Sequence, residues 1–336
     1  MINSAKKSSA KEVRILIVAG CKIAYTPVVK AYISYAQQNN CKIDIIEYKN
    51  FKRLNFIASA FSKAFRKQYT KIVCIYNQSL PVLVILSWIS SKNLVYWKLE
   101  SHKLFDDWSI AINLQLLEYL VKRSSVELIV PTHHRAKIQF PRFNSTSILP
   151  NAPIKPYICD NRCPRLFNRA KINLIFYGNI NNKEEVFLNE WISFCERSPD
   201  YYLTVIGENG SDTDKITWLG RLNHDCLIEK LCNYKKFTFS LVGYRATNQN
   251  NKFAAPNKLI ESLACGLPVI GHVDNLYVAE LIKQYQCGLL IDFTEIDPFI
   301  LDVTPERYDE LVLGASHAAN SLCLSNTVSS TTIRCT

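Results

Sequence analysis

Residues 256–270 read PNKLIESLACGLPVI, and this stretch decides the fold. The apolar run FTFSLVGY at 237–244 precedes it and has the composition of a buried strand. Pro256 can begin a helix, Gly266 can end it, and PVIGHV at 268–273 can form a second strand. A strand, a helix and a strand in this order predict a βαβ unit, and therefore a parallel sheet.

The same alternation of strand and helix patterns extends over most of the 336 residues. Twelve strands are predicted, at 13–20, 41–48, 71–77, 93–100, 127–132, 146–151, 171–178, 201–207, 215–220, 237–244, 268–273 and 287–293. The sequence therefore predicts an α/β protein with two tandem, doubly wound, Rossmann-like parallel-sheet domains. Ligands of such sheets lie beyond the carboxyl ends of the strands, so we expect the site in an interdomain cleft.

The charge is distributed unevenly between the two halves. Residues 1–150 contain 22 Lys+Arg and 8 Asp+Glu, a balance of +14, whereas residues 151–336 contain 18 and 21, a balance of −3. The first half is therefore expected to meet an anionic partner, which could be phospholipid, nucleic acid or an anionic substrate. With 48% hydrophobic and 21% charged residues, the composition is that of a globular protein and excludes a disordered or fibrous chain.

The sequence favours a cytoplasmic location. The start of the chain lacks the apolar segment of a secretory signal, and no apolar run reaches the roughly 18 residues of a membrane span. The 12 cysteines are scattered without a CxxC pair or zinc-type spacing, which predicts reduced thiols.

The segment that begins at Pro256 also carries the clearest chemistry. The backbone amides of Asn257, Lys258 and Leu259 would point out of a helix N-terminus, where free N–H groups and the helix dipole attract phosphate. Lys258 adds a full positive charge, and Glu261 could accept hydrogen bonds from ribose hydroxyls. The alternative for these two side chains is an exposed ion pair on a capped helix.

These residues resemble the donor-site signature of nucleotide-sugar-dependent glycosyltransferases with the GT-B fold, and most of all the large retaining family 4. The resemblance rests on Pro-x-Lys-Leu-x-Glu at 256–261 and Cys-Gly-x-Pro-Val-Ile at 265–270. Further similar segments follow in the family's order: ILPNAP (148–153), YGNI (177–180) and WLGRL (218–222) in or beside the second half, and the weaker VYWKLE (95–100), Glu118 and HHRA (133–136) in the first.

The resemblance implies transfer of a sugar from a UDP or GDP sugar to an acceptor hydroxyl, with retention of configuration and without a metal or cofactor. It also implies polysaccharide or glycolipid assembly, by an enzyme that is cytoplasmic or peripheral at the inner face of the membrane. The chain is then divided into a flexible N-terminus, an acceptor-binding domain, a linker, a donor-binding domain, a C-terminal helix that packs back on the first domain, and a tail. Their predicted bounds are 1–11, 12–152, 153–170, 171–302, 303–325 and 326–336.

The predicted site residues follow from the same resemblance. Glu100 and His102 are the candidates for orienting or deprotonating the acceptor. No metal ligands are predicted, and adjacent His133 and His134 are interpreted as a helix start. The predicted donor-binding residues are Gly178, Asn179, Lys183, Arg221, Arg245, Pro256, Asn257, Lys258, Leu259 and Glu261.

Phe253 departs from the family pattern, because many members have a donor-contacting glutamate at this position. Three outcomes stay open. Sugar contacts could come from Asn248, Asn250 or Asn251; donor handling could be altered; or the fold could persist without transferase activity.

The basic segment 52–69 predicts a helix that either lies on an anionic bilayer or packs on the sheet with a solvated cationic face. The alternatives for the whole protein are a DNA-modifying glycosyltransferase, a nucleic-acid-binding module, and a GT-B sugar-nucleotide epimerase or hydrolase. No nucleic-acid-binding motif accompanies the charge.

Overall fold

The computed structural model describes residues 13–23, 26–48, 53–66, 68–99, 108–139, 142–157, 171–178, 184–208, 210–234, 237–296 and 303–328. Within these ranges the chain forms two six-stranded sheets, and all of their strand pairs are parallel. The predicted α/β fold with two doubly wound sheets is confirmed.

The first sheet has the strand order β2-β1-β3-β4-β5-β6. Its strands are β1 (Arg14–Ala19), β2 (Lys42–Glu47), β3 (Lys71–Ile75), β4 (Asn93–Trp97), β5 (Val126–Val130) and β6 (Ser145–Ile148). Its helices are α1 (Pro27–Gln38), α2 (Arg53–Ala64), α3 (Leu80–Ile89), α4 (Trp108–Leu120) and α5 (His133–Ile138). The order reverses between β1 and β3, which is where a doubly wound sheet opens a crevice.

The second sheet has the order β12-β11-β10-β7-β8-β9. Its strands are β7 (Ile172–Tyr177), β8 (Tyr201–Ile206), β9 (Ile216–Trp218), β10 (Thr238–Val242), β11 (Val269–His272) and β12 (Gly288–Ile291). The helices of this half are α6 (Leu188–Arg197), α7 (His224–Cys232), α8 (Gln249–Lys252), α9 (Asn257–Ala264), α10 (Leu276–Tyr285), α11 (Pro305–Leu322) and α12 (Leu324–Thr327).

Each central strand contributes to a core on both of its faces. In β1, Leu16 and Val18 pack into one hydrophobic cluster, whereas Ile15 and Ile17 pack into another. Successive side chains of a strand point to opposite faces, so a continuous apolar run fills both cores at once. This is why the sequences of β1, β3 and β5 are apolar apart from one charged residue each.

The apolar face of helix α2 was predicted either to lie on a bilayer or to pack on the sheet, and the structure decides between the two. Phe56, Ala60 and Ala64 are buried in the core of the first domain, so this face packs on the sheet and is not available to a bilayer. Leu54 and Phe65 remain exposed. None of the helices in the described ranges combines the length and the hydropathy needed to cross a membrane.

The C-terminal helix differs from the expectation that it packs back on the first domain. Tyr308 and Ala315 of α11 pack into cores of the second domain. Only the segment after α11 returns: Leu324 and Val328 join a core of the first domain, and the Leu324 amide donates to Pro153 O at 2.8 Å. Within the described residues the chain thus passes between the domains near Pro153 and again at Leu324.

Candidate functional site

The candidate site lies at the carboxyl ends of β7, β10 and β11, where the loops to α6, α9 and α10 begin. Asn275, wholly buried, joins two of these loops. Its Oδ1 accepts from the Tyr244 amide at 2.8 Å, and its Nδ2 donates to Tyr244 O at 2.9 Å and to Asn251 O at 3.1 Å. These bonds hold the segment that leads from β10 to α9 in a defined position.

Lys258 is the most unusual residue of this site. Its side chain is buried, with Nζ 4.6 Å from the ring centroid of Phe176 and 4.5 Å from that of Tyr244. Burial lowers the pKa of Lys258 to about 7. Among the described residues no hydrogen bond or ion pair reaches Nζ, so the two aromatic faces are its only cation contacts. A buried amine in this setting is suited to an anionic ligand.

Helix α9 presents backbone amides beside Lys258. The helix begins at Asn257, with Pro256 as an N-cap that makes no side-chain hydrogen bond. The Leu259 amide donates to Pro256 O at 3.1 Å, so it is not available to a ligand as the sequence predicted. In the described part of the chain no acceptor is found for the amides of Asn257 and Lys258, which leaves these two for an anion.

Gly178 ends β7 in a conformation that favours glycine, with φ of +120°. Among the described residues, no atom would lie within 4 Å of a Cβ at this position, so a side chain or ligand would meet open space here. The Gly178 amide, however, donates to Ile206 O at 3.0 Å and extends the sheet. The amide is therefore engaged in the sheet, and Gly178 stays a predicted donor-binding residue through the space beside it.

Glu261 has a partner that the sequence analysis missed. Its carboxylate is largely buried, and Oε1 lies 3.1 Å from His224 Nε2 at the start of α7. The hydrogen bond to Glu261 raises the pKa of His224. The exposed ion pair between Lys258 and Glu261 is not formed, since both side chains are buried and Glu261 pairs with the histidine. The only available signal was that His224 follows the WLGRL segment closely.

Arg245 is held by the segment between β7 and α6. Its guanidinium pairs with Glu190, donates through Nε to Glu184 O at 2.7 Å and lies 4.4 Å from the Phe187 ring centroid. These contacts make Arg245 an anchor for the loop above β7, so a direct contact with a diphosphate would require it to leave them. Asn251 adds a second tie to the same segment, since its Nδ2 donates to Glu185 Oε1 at 2.6 Å.

The remaining predicted residues fall in different places. Arg221 is exposed on the turn before α7. Asn179, Lys183, Glu100 and His102 lie outside the described residues.

Glu118 belongs to the core of the first domain and not to a site. It is wholly buried, with Oε1 2.7 Å from Lys98 Nζ, and its Oε2 accepts from Gln139 Nε2 at 2.9 Å. Lys98 Nζ also donates to Gln139 Oε1 at 2.8 Å. The three side chains belong to a buried polar network beneath the end of β4, which is a structural role.

The two domains meet at a cluster of histidines. The rings of His133 and His134 lie 4.0 Å apart at the start of α5, and both Nε2 atoms approach Glu280 Oε2 on α10, at 3.3 and 3.0 Å. Helix α5 begins at His133, so the interpretation of this pair as a helix start is confirmed. The sequence analysis did not anticipate that both rings would turn toward the same carboxylate. Phe253 stands beside them, with its ring 5.7 Å from that of His134.

The cluster borders a cavity of about 590 Å³ between α5 and α10. Val273 and Leu276 form part of its wall on the side of the second domain. The carboxyl ends of β5 and β11 face this cavity, since α5 follows β5 and α10 follows β11. The cavity is thus lined by residues of both domains, as expected of an interdomain cleft.

Comparison with known proteins gives the site its context. Residues 174–325 match the family described as Glucosyltransferase 3-like, C-terminal domain. No curated protein matches the chain significantly in sequence.

The solved structures that are similar to this chain include glycosyltransferases. Sucrose-phosphate synthase from Thermosynechococcus elongatus has a TM-score of 0.67 at 12% identity, with 93% of this chain and 95% of that chain covered. HepE from Anabaena, in complex with UDP and glucose, has a TM-score of 0.64 at 14% identity, covering 95% and 100%. WaaG, a glycosyltransferase involved in lipopolysaccharide biosynthesis, has a TM-score of 0.56 at 11% identity, covering 94% and 96%.

At these identities the solved structures show the fold, which is GT-B. The matched glucosyltransferase-like family covers the half that holds Lys258 and Glu261. Together these findings confirm the prediction of a GT-B glycosyltransferase. The narrower prediction of retaining family 4 stays a prediction.

Proposed function

We propose that this protein transfers a hexose from a UDP-sugar to an acceptor hydroxyl, with the donor bound over the start of α9. The observation that carries the proposal is Lys258, a buried amine without an anionic partner among the described residues, at the carboxyl end of a parallel sheet. UDP is the first choice of nucleotide because the similar HepE structures hold UDP, UDP and glucose, or UDP-glucose.

The proposed chemistry follows from the charge that develops as the sugar leaves. The diphosphate gains negative charge in the transition state, so positive groups fixed near it lower the barrier. Lys258 and the amides of Asn257 and Lys258 would supply that charge in a site from which water is largely excluded. Because the pKa of free Lys258 is about 7, an approaching diphosphate would also draw a proton onto the amine.

Glu261 would bind the ribose. Its carboxylate is one helical turn beyond Lys258 and is oriented by His224 at 3.1 Å. A carboxylate with a fixed partner is well placed to accept hydrogen bonds from vicinal hydroxyls. On the acceptor side, Glu100 and His102 after β4 are still our candidates for orienting or deprotonating the hydroxyl. Retention of configuration and the absence of a metal from the transfer step are proposed from the resemblance to family 4.

For the acceptor we propose a lipid-linked or glycan substrate at an anionic membrane. An exposed apolar surface on α3 and α4 supports this, and we call it the α3/α4 patch. Trp88, with 63% of its surface exposed, donates through Nε1 to Leu120 O at 2.8 Å and lies under the Lys122 amine. The other members of the patch are Ile85, Ile89, Leu116 and Tyr119, and Arg123 lies 5.2 Å from the Tyr119 ring centroid.

Aromatic and aliphatic side chains with cations at their rim match the chemistry of a bilayer surface with acidic headgroups. The balance of +14 over residues 1–150 favours the same partner. The α3/α4 patch, and not the apolar face of α2, is therefore the proposed membrane surface.

The experiment that tests the function follows radiolabelled glucose from UDP-glucose into membrane lipids and glycans, with UDP release measured in parallel. We expect transfer and release together, both strongly reduced in Lys258→Met, whereas replacement of the exposed Lys252 in Lys252→Met leaves both as in the wild type.

Two other outcomes would favour the alternative functions. UDP release or sugar isomerisation without any acceptor would indicate a hydrolase or epimerase. Tight, steeply salt-dependent binding of duplex DNA without donor turnover would instead indicate a nucleic-acid-binding protein.

A further inference from the structure

We infer that His133, His134 and Glu280 form a binding site for a divalent transition metal, with zinc as the first choice, that joins the two domains. Each residue offers one ligand atom, and these atoms lie within 4.8 Å of one another. The histidines belong to the first domain and the glutamate to the second, so an ion at this place would be held by both. The inference departs from the sequence prediction that no metal is bound, and it does not depend on the proposed transfer reaction.

The spacing of the ligand atoms fits a bound ion. Ligand atoms about 2.0–2.1 Å from a tetrahedral metal stand roughly 3.3 Å apart. Glu280 Oε2 is 3.3 Å from His133 Nε2 and 3.0 Å from His134 Nε2. The cluster would therefore need only small side-chain movements to close around zinc.

The types of ligand select the kind of metal. Two imidazoles and one carboxylate suit zinc and other late first-row metals, whereas magnesium and calcium prefer sites made of oxygen atoms alone. None of the described cysteines belongs to this cluster, so no thiolate among them would add a fourth protein ligand. Three protein ligands leave one position of a tetrahedral ion open for water or another small ligand.

The surroundings hold the ligands in place. Thr132 Oγ1 accepts from the Arg135 amide at 3.1 Å and caps α5, and the buried Arg135 guanidinium donates to Leu99 O. Glu280 lies in the middle of α10, whose start is fixed by the hydrogen bonds of Asn275. A six-residue helix anchored at its first turn and a ten-residue helix anchored at its start provide rigid positions for a metal site.

The open position of the ion would face the interdomain cavity. His133, His134 and Glu280 all line this cavity of about 590 Å³. Neither Lys258, which lies against Tyr244, nor Glu261, which pairs with His224, belongs to the cluster or lines this cavity. A metal held here would link the two domains and would place a Lewis acid in the cavity between them.

The test titrates zinc into untagged protein that has been stripped with chelator, with calorimetry for affinity and cobalt absorption for geometry. We expect one zinc ion per chain, a tetrahedral cobalt spectrum, and a rise in Tm on adding zinc. Removal of an outer partner of a metal site weakens binding by about 10- to 100-fold. His134→Ala, His133→Ala and Glu280→Gln remove direct ligands, so each should lose at least that much.

Matched controls keep the test specific. His317→Ala and Glu229→Gln remove an exposed histidine and an exposed glutamate away from the cluster, and both should bind zinc like the wild type. Far-UV circular dichroism checks that the cluster variants are folded. The inference is overturned if the wild type binds no zinc, if the three cluster variants bind it unchanged, or if His224→Ala abolishes binding while they do not.

Discussion

Lys258 is proposed to bind an anion through its charged form, but its burial disfavours that form as long as no ligand is bound. Its amine is buried against Phe176 and Tyr244, which disfavours the charged form and lowers its pKa to about 7. A bound diphosphate would favour the charged form and raise the pKa again. Binding of the nucleotide and binding of a proton should therefore be coupled at this residue.

This coupling predicts the pH dependence of UDP binding. Above pH 7 the free protein has lost the Lys258 proton, so binding must take it up and the affinity falls by up to about tenfold per pH unit. Below pH 7 the amine is already charged and the dependence through Lys258 disappears. Calorimetry in two buffers of different ionisation enthalpy measures the uptake, which Lys258→Met should lose and Lys252→Met should keep. Equal proton uptake in both variants would contradict this role.

A second prediction concerns the buried network of Lys98, Glu118 and Gln139. Lys98→Met leaves the Glu118 carboxylate buried without its cation, so we expect a loss of about 3–5 kcal/mol in the free energy of unfolding. Replacing both charges, as in Lys98→Met with Glu118→Leu, should recover most of that loss, because neither buried charge of the pair is then left without the other. Urea unfolding of the single and double variants measures both free energies of unfolding. If the double variant loses as much stability as the single variant, the ion pair itself supplies the stability, and the prediction is wrong.

At the scale of the elements, the sequence predicted the twelve strands that the described residues form, because strands buried on both faces are rich in apolar residues, such as IVCI in β3. The surface against which each helix packs was harder to predict from the sequence. The apolar faces of α2 and α11 were visible in the sequence, but a periodic pattern does not say which surface covers it. Phe56 of α2 lies on the first sheet, and Tyr308 of α11 lies on the second.

The α3/α4 patch gives a prediction at this scale. We expect sedimentation of the protein with vesicles that contain acidic phospholipid, and less with neutral vesicles. Removal of Lys122 or Arg123 should weaken partitioning by about 1 kcal/mol, or about fivefold, because each cation near an anionic surface contributes about that much. Ile89→Ser should weaken it through lost apolar contact.

The control for membrane binding is Leu313→Ser, which removes an exposed leucine from α11 in the second domain. This variant should bind vesicles as the wild type does. If Ile89→Ser and the cation variants bind unchanged as well, the α3/α4 patch is not the membrane surface.

At the scale of the whole molecule, function depends on contacts between residues that are distant in the sequence. Local patterns were sufficient to place Lys258 and Glu261 on one helix beyond a strand. The pairing of Glu261 with His224, and of His134 with Glu280 across 146 positions, follows from the packing of helices and domains and has no local signal. For the same reason the engagement of the Gly178 amide by Ile206 could not be anticipated from the YGNI segment.

The central claim is that the start of α9 binds the diphosphate of a nucleotide sugar, and calorimetric titration of UDP into wild type, Lys258→Met and Lys252→Met tests it most directly. A hydrogen bond to a charged group contributes about 1.5–3 kcal/mol, so Lys258→Met should weaken binding by roughly 10- to 150-fold. The same variant should be at least as stable as the wild type without UDP, because it removes a buried amine. Equal Kd values for UDP in all three proteins, or no binding to the wild type, would contradict the account.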